Sequence, residues 1–223
     1  MGKEKKNKTE MPHAILSAEF AYLAEAAQQA NEDRARVTQY YFMALGSFVA
    51  SLFGLKVIPQ QYAELAYVGL SVLFLLFAGF GVLTIEQLIR LRLAWLKCSL
   101  AMDDIKEHYI RKFPEAELDS AIRFRTENLP PAFQKYSISH LLALATSLMS
   151  ALSLLVAAVF LQRAWHRELD FAAVLWIGAI LAIALFVLEQ RHYYRKLSSA
   201  PIKNEIRQAI GKIESREKEH EKE

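Results

Sequence analysis

"LAYVGLSVLFLLFAGFGVLTI", residues 65–85, runs for 21 residues without a charged side chain. About 20 apolar residues in a helix cross a hydrocarbon layer roughly 30 Å thick. A soluble helix of that length carries a polar face, and this stretch has none, so it reads as a transmembrane span. Three more blocks are long and nearly charge-free: 37–58, 138–161 and 171–189, the last beginning "FAAVLWIGAILAIALFVL". The chain is 53% hydrophobic yet 23% charged because the two classes are segregated into blocks. The expected fold class is therefore all-α. It is a polytopic membrane protein with four transmembrane helices in two hairpins and cytoplasmic amphipathic helical extensions. The first block starts too late and is too long for the apolar core of a cleaved signal peptide.

Charge threads the chain. Lys and Arg next to spans stay on the cytoplasmic side. Of the 27 basic residues, 24 lie before span one, between spans two and three, or after span four. Both termini are expected in the cytoplasm, and the two outer loops, "KVIPQQYAE" and "QRAWHRELD", are short enough to force antiparallel pairs. Tyrosines mark the inner boundary in pairs beside basic residues, Tyr40 with Tyr41 and Tyr193 with Tyr194, joined by Tyr136. Tyr62 and Trp165 would mark the outer belt.

The segments follow from this threading. Residues 1–12 form a disordered basic N-terminus. Residues 13–113 hold a long helix that continues unbroken into span 37–58, then span 65–86 and a cytoplasmic helix. Residues 114–137 are an interfacial elbow, 138–190 a second hairpin with spans 138–161 and 171–189, and 191–223 a cytoplasmic C-terminal helix and charged tail.

The extensions are not featureless. Leu16, Phe20, Leu23, Ala27 and Ala30 form one apolar helical stripe. After span two, Leu88, Leu91, Trp95, Cys98, Met102, Ile105 and Tyr109 recur every three or four residues, as in a coiled-coil seam, and predict an oligomer contact. Ile202, Ile206, Ala209 and Ile213 repeat that spacing near the C-terminus. Cys98 is the single cysteine, which excludes an intrachain disulfide. In the elbow, Arg123, Arg125 and Lys135 interleave with Phe124 and Phe133 and are candidate contacts to anionic lipid; the competing explanation is the ordinary basic flanking of a span.

The sequence carries no catalytic signature. It has no phosphate-cradling glycine loop, no HExxH and no GxSxG, and its six histidines are scattered. Neither an enzyme nor a cofactor is expected, and no nucleic-acid partner. Small and hydroxyl residues instead lie in stripes: Gly46, Ala50 and Gly54 in span one, Ser147, Ser150 and Ser153 in span three, Gly178 and Ala182 in span four. Such stripes let helices pack closely; the alternative for the serines is the lining of a pore. Glu86, His140, Glu189 and Gln39 stand at span ends and form a candidate polar ring at an inner mouth; ordinary boundary residues reaching for water are the competing explanation.

With "NEDRARV", residues 31–37, leading into a hairpin whose second helix returns to the charged side, residues 14–112 resemble the SLATT-type two-span modules of bacterial membrane proteins. The second hairpin has no counterpart there, and no site residue is carried over. The resemblance implies a bacterial inner membrane and a role as a pore or membrane effector in nucleotide-signalled defence. Two functions are thus expected in order: an oligomeric pore-forming or membrane-perturbing effector, or a non-conducting scaffold or assembly factor. The partners would be the lipid bilayer, further copies of the chain, or a cytoplasmic protein held by the helical extensions.

Overall fold

A computed structural model describes residues 2–54, 62–113, 131–165 and 170–199. Among the described residues there are four helices and no strand: α1 (Gly2–Gly54), α2 (Ala63–Lys112), α3 (Ile138–Trp165) and α4 (Phe171–Ser198). Three of them, α2, α3 and α4, are long and apolar enough to cross a membrane, which marks the chain as a membrane protein. α1 falls outside that set. Its apolar half is diluted at the start by Thr38, Gln39, Tyr40 and Tyr41, and residues 55–58 of the expected span lie outside the described residues.

One helix runs through the junction at residues 31–37, since nothing between Asn31 and Gly54 removes a backbone donor. It also begins earlier than expected. Residues 2–12, read from their charge as disordered, belong to α1, because Lys and Glu are strong helix formers. At 1.5 Å per residue, α1 and α2 are each about 75–80 Å long, more than twice the thickness of a hydrocarbon core. Both therefore continue far past any span they contain. At the far end of the fold, Asp170 caps α4, its carboxylate accepting the Ala172 amide at 3.1 Å.

α2 and α3 form the most extensive pairing; α1 flanks α2, and α4 flanks α3. The packing is inverted relative to a soluble bundle. Large apolar side chains such as Leu76, Leu83, Leu148, Trp176, Ile180 and Leu188 point outward, while Ser71, Ala78, Gly81, Thr146, Ser147, Ser150 and Ala157 are buried between helices. Hydrocarbon solvates Leu as well as a protein interior does, so helices in lipid gain by close contact of small residues rather than by hiding large ones. Gly81 is the tightest point: a Cβ there would lie 2.5 Å from the Ser150 Cβ and 3.0 Å from the Tyr41 hydroxyl. Gly178 plays a milder part against Leu155 and Ala158. Gly46, expected in a packing stripe of span one, faces open space instead.

Larger side chains fill three regions, one of them formed by Leu96 and Leu100 of α2 with Leu93, Trp95 and Ala132. Phe48, Phe74, Phe77 and Phe160 pack with Leu45 and Ala157 between α1, α2 and α3, with Phe74 and Phe160 stacked at 5.8 Å. Nearer the charged ends, Ile85, Leu88 and Ile89 of α2 meet Ala143 of α3 and Tyr193 and Leu197 of α4. Tyr41 and Tyr193 are thus core residues rather than boundary markers. Neighbouring residues on a helix point about 100° apart, so only Tyr40 and Tyr194 of each pair face outward.

These contacts predict opposite outcomes at two glycines on one helix. Gly81→Ala should destabilise the bundle by about 2 kcal/mol through overpacking. Gly79→Ala, where a Cβ meets nothing within 4 Å, should leave stability unchanged or slightly raised. Unfolding in detergent, followed by circular dichroism, compares the two.

Candidate functional site

The polar groups inside the bundle converge on α3. Ser150 Oγ donates to the Ala78 carbonyl of α2 at 3.0 Å and lies 2.8 Å from Glu189 Oε1 of α4. One helical turn away, Gln190 Nε2 donates to Ser147 Oγ at 2.8 Å and towards the Ala143 carbonyl at 3.4 Å. Farther along, Ser71 Oγ of α2 donates to the Ala157 carbonyl at 2.9 Å. Tyr41 brings in α1 through a 3.3 Å bond to the Phe77 carbonyl. A hydroxyl has one proton, so Ser150 cannot serve the Ala78 carbonyl and a carboxylate together. Both contacts are satisfied at once when Glu189 supplies the second proton. Its other oxygen, Oε2, is buried with no hydrogen-bond partner among the described residues.

Ser147, Ser150 and Ser153 are almost wholly shielded, with Ser147 and Ser150 at 0% exposure. Within one chain they lie in helix contacts and line no open path. Ser153 bonds back to the Met149 carbonyl at 2.8 Å.

The four residues of the candidate ring are distributed over different surroundings. Glu189 sits in the Ser150 contact and is buried. Glu86 is half-exposed and pairs with His192 Nε2 at 3.0 Å and Arg90 at 3.1 Å. His140 lies ten residues before Ser150, about 15 Å along α3 at 1.5 Å per residue, with its ring against Phe133 and Tyr193. Gln39 is exposed and reaches only Met43 of its own helix. Equal distance from a span end in sequence does not give equal depth, because α3 starts well outside the level at which α4 carries Glu189. His192, the partner that sequence reasoning missed, stands three residues past Glu189 and was hidden among the basic residues of the boundary.

Within the chain, α2 buries a face beside the expected oligomer seam and shares Leu88 with it. The most deeply buried residues are Leu88, Ile89, Arg92, Leu96, Ser99, Leu100 and Asp103, while Leu91, Trp95, Cys98, Met102, Ile105 and Tyr109 are half-buried on the flank. A search for apolar periodicity passes over a buried stripe that contains Arg92, Ser99 and Asp103. Asp103 is held by Lys106 at 2.8 Å. On α1, Ala27, Ala30 and Arg34 are buried, and Leu16, Phe20 and Leu23 are half-buried. Arg123, Arg125 and the C-terminal stripe from Ile202 to Ile213 lie outside the described residues; Lys135 is exposed in the turn before α3.

The segment entering α3 is tied down by arginines. Arg92 donates from Nε to the Ala132 carbonyl at 3.3 Å and from Nη2 towards the Pro131 carbonyl at 3.4 Å, and its guanidinium lies 4.6 Å from the Trp95 ring centroid. Arg34 of α1 donates to Ser139 Oγ. Among the described residues no three His, Cys, Asp or Glu side chains gather as a metal site. Comparison with family models, with curated proteins and with solved structures finds no match.

Three substitutions separate the roles of these groups. Glu189→Gln keeps a donor for Ser150 and should retain wild-type stability, whereas Glu189→Ala should lower it. Asp104, on the half-buried flank of α2, has its carboxyl pushed above the usual range by burial, then by Glu107 and Asp103. Its charged form therefore costs stability, which falls as pH rises through the raised value. Asp104→Asn should raise the melting temperature near neutral pH and lose that advantage in acid.

Proposed function

We propose that the chain is a four-span membrane protein with both termini in the cytoplasm, acting as a non-conducting scaffold or assembly factor. Its α1–α2 pair is the docking element. The observation that carries this reading is the burial of Ser147, Ser150 and Ser153 inside one protomer. The hydroxyl stripe best suited to line a path for ions is already engaged in helix contacts, and the outward faces of α2, α3 and α4 are large and apolar. A conducting oligomer would have to line its path with those faces. The length of α1 and α2 beyond the apolar blocks supports the docking role, as does the half-buried flank around Trp95, Cys98 and Met102. A bacterial inner membrane is the setting that the SLATT-type resemblance implies.

The four-span count rests on α1, whose residues 37–54 supply most of one apolar block. The inside placement of both ends rests on the distribution of the 27 Lys and Arg residues. Homo-oligomerisation through the Cys98 flank is part of the proposal.

The test uses the full chain in liposomes loaded with a small anionic dye. Dye should be retained as in protein-free vesicles, while mild oxidation yields a Cys98–Cys98 dimer. Dose-dependent dye release would overturn the scaffold reading in favour of the pore. A tight membrane with no crosslink would reject the Cys98 flank as a homotypic contact and leave a different protein as the docking partner.

A further inference from the structure

Two buried cations on different helices converge on the start of α3, with no acidic partner among the described residues. Arg34 of α1 is 8% exposed and Arg92 of α2 is 7% exposed. Arg34 bonds Ser139; Arg92 bonds the carbonyls of Pro131 and Ala132, eight and seven residues earlier on the same entry segment. Among the described residues every hydrogen-bond partner of either guanidinium is neutral. Arg34 Nε, and His140 Nδ1 next to Ser139, are buried with no hydrogen-bond partner among the described residues. Burial holds the Arg34 guanidinium below its ordinary value, and the like charge of Arg92 adds to that. Tyr193 lies close enough to both to feel their charge. A buried guanidinium left without an anion is costly, and here two share one location. The N-terminus of α3 points its positive end at the same place.

A groove adjoins this cluster. Ala35, Thr38, Gln39, Phe42 and Met43 of α1 and Leu142 of α3 line an open, largely apolar cleft of about 450 Å³. Ala35 follows Arg34 in sequence, and Leu142 is one turn beyond Ser139. Thr38 stands one turn beyond Arg34 as Leu142 does beyond Ser139, so the cleft lies a turn along from the Arg34–Ser139 contact and runs along α1 into its apolar half.

We propose that this cluster and cleft form a binding site for an anionic phospholipid. Its phosphate would lie against Arg34, Arg92 and the start of α3, with an acyl chain along the groove between α1 and α3. The charge supplies the missing anion, since Arg binds phosphate through paired N–H donors. The apolar cleft next to it argues for a lipid over a soluble phosphate, and basic pockets between spans at the cytoplasmic boundary suit such headgroups. The site is separate from the elbow candidates, of which Arg123 and Arg125 lie outside the described residues and Lys135 is exposed. The inference rests on the membrane-spanning reading, with Arg34 at the cytoplasmic boundary.

The test is native mass spectrometry of the detergent-purified full chain titrated with phosphatidylglycerol, phosphatidylcholine or inorganic phosphate. Flotation with phosphatidylcholine liposomes reports membrane insertion separately, so loss of the site and failure of the membrane reading give different results. Wild type should retain one phosphatidylglycerol in preference to phosphatidylcholine. Arg34→Gln and Arg92→Gln should each weaken that retention about tenfold or more, the scale of a lost charge-assisted hydrogen bond. Ala35→Trp, which fills the groove and leaves both arginines in place, should also weaken it; this variant keeps the test decisive where a buried arginine is needed for folding. Arg36→Gln, at an exposed residue paired with Asp33, should bind as wild type. Equal retention of both lipids, an unchanged preference in Ala35→Trp, or equal loss in Arg36→Gln would overturn the proposal. Uptake of inorganic phosphate with no lipid preference would overturn it too, by showing a site for a free anion.

Discussion

Ser150 is where the helices of this protein are held together. Its hydroxyl touches a backbone carbonyl of α2 and a carboxyl of α4, and the absence of a side chain at Gly81 lets α2 approach it. In water such contacts would be secondary to burying leucines. In hydrocarbon the leucines gain nothing by turning inward, so close approach and a few hydrogen bonds across helices decide which faces meet. The rest follows from that contact. The register of α3 against α4 is set by Ser150 with Glu189 and Ser147 with Gln190. The register of α2 is set by Ser150 with Ala78 and Ser71 with Ala157. Tyr41 carries α1 to the same level.

That register explains why the charged end of the bundle is uneven. With Glu189 level with Ser150, the first three turns of α3 must extend past the apolar block of α4, to where Tyr193 and Leu197 meet Ala143 and Ile89. The extension carries Ser139 to Arg34 of α1 and draws the preceding segment, Pro131–Ala132, against Arg92 of α2. One helix offset therefore brings together two arginines that stand 58 positions apart in the sequence.

The apolar blocks were legible from composition, because a run such as residues 65–85 has one physical explanation. The continuity of α1 was legible because no Pro or Gly interrupts residues 31–45. Partners across helices were not. Nothing in the spacing of Ser147, Ser150 and Ser153 says whether they meet Glu189 or water, since a hydroxyl stripe suits either. The face that α2 buries within the chain was not legible, because Arg92, Ser99 and Asp103 look like surface residues in the sequence. The disposition of Glu86, His140, Glu189 and Gln39 depends on the offset of α3, and a sequence does not contain an offset.

The unbroken length of α2 has a mechanical consequence. From Ala63 to Lys112 it has no proline, the usual cause of a sharp kink. It is therefore a shaft, gripped within the bundle at Phe74, Ala78 and Gly81 and buried along one face as far as Asp103. Torque applied at the far end has no hinge in which to dissipate. A turn of the stalk would be delivered to the point where Gly81 grips Ser150, and the bundle would register a distant touch as a shear between its two central helices.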